Sequence, residues 1–204
     1  MRYLKCIFLA IVALAITPRA NACGPWCFSP YEYYMFRTFD KNSVSWNDTK
    51  GRNSLLWQAQ TSSSISVKDI EKVVYEYTDA QTYSLLTDKS DKNSFAAWLR
   101  SNQDREAVDF LVLAKRCERA RAEKNSPWYY PVENDPVIEK IKGVREKALA
   151  YDGTRFASRY ALQAIRAMYS LNDFEGIIRY WESKCVDMPS DVIKDMMYPY
   201  VAGA

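Results

Sequence analysis

Apolar and polar residues follow one another along most of this chain with the period of an α-helix. Val67, Ile70, Val73 and Val74 form one apolar stripe. Ala107, Val108, Leu111, Ala114 and Cys117 form a second, with Arg116, Glu118, Arg119, Arg121 and Glu123 on the polar side. Val137, Ile138, Ile141 and Val144 form a third, and Phe174, Ile177, Ile178, Trp181 and Cys185 a fourth. Stop and start signals separate them. Ser66 reads as an N-cap with Asp69 in the capping-box position. Asn93 or Ser94 opens a short helix carrying Phe95, Trp98 and Leu99. Residues 104–124 form the longest helical run, and Pro127 and Pro131 break the pattern after it. Asp135 caps the next helix, with Pro136 at its first turn and Gly153 beyond its end. Helices over Thr154–Leu171 and Asp173–Cys185 follow, and Pro189-Ser190 leads into a last one that Pro199 should kink. The pattern predicts an all-α protein of stacked antiparallel helix pairs, arranged as an α-solenoid or as an irregular helical bundle.

The first residues follow a different pattern. Arg2 and Lys5 precede an apolar run from Cys6 to Ile16, and Ala20-Asn21-Ala22 is a small-residue cleavage site. That is the layout of a secretory signal peptide. The apolar run spans roughly 16 Å as a helix, about half of a bilayer core, which is too short for an anchor. The expected organisation is a signal peptide over 1–22, an aromatic-rich irregular leader over 23–65, and a helical domain over 66–204. Within the leader, Tyr31, Tyr33, Tyr34, Phe36 and Phe39 crowd together. A short helix over Pro30–Phe39 is expected there, then polar loops from Asn42 to Asn53. The final apolar residues, Tyr200 to Ala204, carry no cap, so the sequence reads either as the N-terminal part of a longer repeat protein or as one that lacks its usual terminal cap.

Charge changes meaning once the leader is removed. The chain carries a net +3, which Arg2, Lys5 and Arg19 supply in full, so the processed part is neutral. No basic footprint for nucleic acid remains. The chain has no histidine, which excludes Ser-His-Asp and Cys-His catalysis and most zinc sites. Six glycines occur, none in a GxG pattern, so no phosphate-cradling loop is expected. No cofactor or metal is expected.

Cys23, Cys27, Cys117 and Cys185 follow the leader's Cys6. An even set in an oxidising compartment suits two disulfides, with the pairing open. Cys23 and Cys27 are close enough to pair locally. Cys117 and Cys185 each fall on an apolar helix face and could pair across the core, or stay free and pack as small apolar groups. The string CGPWC is neither a C-x-x-C redox motif nor a haem site. Cys23 also stands where a bacterial lipoprotein signal places its acylated cysteine. Ala20-Asn21-Ala22-Cys23 partly resembles that box. It departs at Ala20, where leucine is preferred, and Thr17-Pro18-Arg19 separate it from the apolar run. Membrane attachment follows only if Cys23 is acylated.

Two segments align at a shift of about 70 residues, Phe95–Lys115 over Ile165–Cys185. Each reads helix, turn, helix. The second resembles a tetratricopeptide repeat over 158–189: Leu171, Asp173 and Phe174 at the turn, Ile178, an aromatic at Trp181, and Pro189 closing the unit. A weaker copy lies near 88–119. The family places small residues where Ile165 and Ile177 stand, a departure that puts its usual close helix crossing in doubt; Ala107 restores one of them in the first copy. The resemblance implies protein or peptide binding on a concave face and transfers no individual site residue.

The function these features favour is an exported interaction module of the cell envelope, acting periplasmically, at the surface or after secretion. Trp128, Tyr129 and Tyr130 are its candidate contact residues, since aromatics give large contact area at small entropic cost. Core filling is the plainer role for the same cluster. The alternative is a helical glycan-active enzyme. Glu182-Ser183 resembles the glutamate-serine pair of lytic transglycosylases, but the glycine-led glutamine motif of that family is missing. A glycan-binding surface protein is the third reading, drawn from the fifteen tyrosines and six tryptophans.

Overall fold

The computed structural model describes residues 46–204, and every regular element in that range is helical. The elements are α1 (Trp46–Gln60), α2 (Val67–Glu71, running on into a π-helical turn Lys72–Glu76), α3 (Asp79–Tyr83) and α4 (Ser94–Asn102). Then come α5 (Arg105–Lys124), α6 (Pro136–Leu149) and α7 (Ala157–Ser170). Last are α8 (Phe174–Tyr180, with a π-helical turn Trp181–Cys185) and α9 (Val192–Ala202). The all-α expectation holds. Among the described helices none is long and apolar enough to cross a membrane. The signal peptide, the Pro30–Phe39 helix, Cys23 and Cys27 lie outside the described residues.

Aspartate starts most of the long helices. Asp104 accepts from the Ala107 amide at 3.1 Å, Asp135 from Val137 at 2.8 Å and Asp173 from Gly176 at 3.0 Å. Each of these caps follows a residue in the left-handed region: Gln103 (φ 48°), Asn134 (φ 56°) and Asn172 (φ 59°). The two turns at 103 and 172 share a construction. The amide of Asp104 reaches back to the Leu99 carbonyl and that of Asp173 to Met168, both at 3.0 Å. These bonds close the preceding helix in the Schellman manner while the aspartate opens the next. The register relating the two turns is 69 residues, from Asp104 to Asp173, one less than the sequence alignment suggests.

Ser66 stands at the start of α2 but makes no side-chain cap. Asp69, expected to complete its box, instead takes the amide and hydroxyl of Ser94 at 3.0 and 2.5 Å, tying α2 to the start of α4. Asn93 caps α4 through the amides of Phe95 and Ala96. A reciprocal capping box does occur, at Thr78 and Gln81 of α3. Pro199, read as a kink, lies inside α9, which continues to Ala202.

Helix α7 is the centre of the fold. It packs against α5, α6, α8 and α9, and ten of its residues are buried, including Arg159, Gln163 and Ser170. One apolar cluster gathers α1, α2, α4, α5 and α6 on one side of α7 around Trp57, Phe95, Phe110 and Phe156. A second lies on the other side, with Ile165, Ile177, Ile193 and Met197.

The polar loops expected over Asn42–Asn53 give way, from Trp46 onward, to helix α1. Its Trp57 is fully buried, with ring centroids 5.6, 5.9 and 5.3 Å from Phe95, Phe110 and Phe156. Helix therefore already occupies residues 46–60, which the expected organisation assigned to the leader. The last helix, α9, packs on this first one, and Arg52 meets Asp195 at 2.8 Å. Such closure belongs to the bundle alternative, since solenoid units meet only their sequence neighbours.

Cys117 and Cys185 are both buried free thiols. The disulfide between them is not formed, because Cys117 belongs to the first cluster and Cys185 to the second.

Candidate functional site

Helices α5 and α6 are joined by a loop that presents its aromatics unequally. The amide of Tyr129 bonds the Ser126 carbonyl at 3.0 Å, and the amide of Trp128 bonds the Ser126 hydroxyl at 3.3 Å, so the loop turns sharply after α5. Tyr129 points inward against the first apolar cluster, and its hydroxyl donates to the carboxylate of Asp135. That bond holds the Asp135 carboxyl below the usual carboxylate range. Asp135 also caps α6, so one side chain locks the loop and starts the helix. With Tyr129 fixed, its neighbours face outward: Trp128 is 82% exposed, Tyr130 73% and Val132 61%. Core filling therefore describes Tyr129 alone.

A crevice of about 410 Å³ lies beside this ledge, walled by the aromatics together with Glu123 and Pro136. Glu123 also borders a groove of about 850 Å³ between α5 and α6. The rim of that groove is charged, with Arg116, Arg119, Lys140 and Lys147 set against Asp79 and Glu139. Several of these charges are already paired: Arg119 with Asp79 at 2.7 Å and Lys140 with Glu123 at 2.9 Å. The floor is Leu113, Ala120, Gly143 and Val144, small or apolar residues that leave room for a chain lying along it. An adjacent aromatic ledge and a groove with alternating charge suit a polypeptide better than a compact small molecule.

Glu182, the candidate acid, is an exposed residue of the π-helical turn at the end of α8. It lines neither the crevice nor the groove. Among the described residues no cluster of three or more acidic or cysteine side chains is placed to hold a metal.

Sequence reasoning missed Arg159. This arginine of α7 is 2% exposed. Its guanidinium lies 4.1 Å from the Trp57 ring centroid and donates to the neutral side chains of Asn53 (2.7 Å) and Gln60 (3.3 Å). Burial pushes its pKa down to about 9, so it is still a cation at neutral pH. An arginine in an amphipathic stretch ordinarily reads as part of a solvated face, so only the buried character of α7 on all sides marks it out.

No family model, no curated protein and no solved structure matches the chain.

Proposed function

We propose that this chain is an exported interaction module that holds a protein or peptide partner through the Trp128–Tyr130 loop and the adjoining α5–α6 groove. The observation that carries the reading is the exposure of Trp128 and Tyr130 on a loop made rigid by the Tyr129–Asp135 bond. Large aromatics displayed on a fixed backbone lose little entropy on binding, which is the character of interface hot spots. The neutral processed chain supports the same function class. Export rests on the leader sequence, and membrane association on acylation of Cys23.

Affinity capture from an envelope extract tests the reading, with wild-type protein and a Trp128→Ala, Tyr130→Ala double variant as paired baits. A partner retained by the wild type and lost from the double variant is the expected result. Identical protein sets on both baits would contradict it.

A further inference from the structure

Beyond that surface, we propose that the partly open cavity beside Arg159 binds a short-chain aliphatic carboxylate. The cavity holds about 100 Å³ and is lined by residues of α1, α2, α5, α7 and α9. Its polar wall contains three cations, Lys115, Arg159 and Arg166, against one carboxylate, Glu118, which is exposed on the outer side. Its apolar wall includes Leu111, Leu162, Ile193 and Met196.

Arg159 is the decisive group. Both of its protein partners are uncharged, and its Nη2 has no hydrogen-bond partner among the described residues. Two further donors on the same cavity wall, Nε of Arg166 and Nε1 of Trp57, are also buried and unpartnered. A buried charge without a counter-ion costs several kcal/mol. The carboxylate of Asp191 reaches Arg159 only through its field. Its Oδ1 accepts from the amides of Ile193 and Lys194 at the start of α9, which fixes the carboxylate there as a cap. Lys115 is 9% exposed and forms no ion pair within the described residues. The cavity is thus lined by residues that carry buried positive charge and N–H groups without protein partners.

The shape of that volume selects the anion. A carboxylate presents two oxygens in the plane of a guanidinium edge. The volume equals about three liquid waters, enough for a carboxylate carrying a few carbons. The aliphatic wall suits its tail. Phosphate or sulfate would need donors on every side, and most of this surface offers none.

Isothermal titration of purified protein with sodium propionate tests the assignment, with sodium chloride and sodium phosphate at matched ionic strength as comparisons. Saturable binding of one propionate per chain is expected, with no comparable binding of chloride or phosphate. Arg159→Met removes the charge, and Ala114→Met fills the cavity while leaving Arg159 in place. Each should weaken propionate by about tenfold or more. The wild-type protein also supplies a test that needs no variant: a nuclear Overhauser contact between the propionate methyl and the side chain of Leu162 or Ile193. Absence of saturable heat, equal binding of chloride, unchanged affinity in both variants, or methyl contacts only to residues outside the cavity would each overturn the proposal.

Discussion

Cys117 shares the buried face of α5 with Leu113 and Ala120, and Cys185 closes the π-helical turn of α8. Burial pushes the thiol of Cys117 up and that of Cys185 to about 11, so neither is a thiolate at neutral pH. Iodoacetamide labelling read by peptide mass spectrometry should therefore modify both cysteines only after denaturation, with no reductant needed. Failure to label either after denaturation without reductant would mean a disulfide that the fold does not have. At this scale the sequence was half legible. The apolar faces carrying both cysteines were readable from spacing, but their separation into two clusters was not, because spacing says nothing about which side of α7 a helix occupies. Arg159 was illegible for a related reason. Its burial is decided by α1, about a hundred residues away, whose Asn53 and Gln60 bind it.

Among the helices, the caps were the most readable feature. Asp135 with Pro136, Asn93 and Asp173 all act at the boundaries where their residue types point. Ser66 makes no side-chain cap, and the Asp69 carboxylate is held by Ser94 of another helix. Helix α1 was unreadable because it lacks an apolar stripe. It buries Asn53 and Ser54 beside Trp57, satisfying the first through Tyr75 and Arg159 and the second through the Lys50 carbonyl. Asp104 concentrates the energetics of one boundary. It caps α5 and also meets Arg155, at the start of α7, at 2.7 Å. Asp104→Ala should lower stability by about 1–3 kcal/mol, read as a lower urea midpoint with unchanged slope. A midpoint equal to wild type would show that neither bond contributes.

At the scale of the molecule, α1 and α7 hold the fold together. Trp57 touches three other aromatic rings and the face of the Arg159 guanidinium. Trp57→Ala should cost about 3–5 kcal/mol through the cavity it opens. Circular dichroism during thermal unfolding should show a large fall in midpoint; a fall of only a degree or two would mean that α1 is peripheral.

The outward face carries Trp128 and Tyr130, the residues of the proposed interaction surface. Its most direct test is the affinity of the captured partner for wild-type protein and for Trp128→Ala, measured by surface plasmon resonance. The account predicts a loss of about 2 kcal/mol, roughly thirtyfold, with the helical spectrum unchanged. Equal affinity for the two proteins would contradict it.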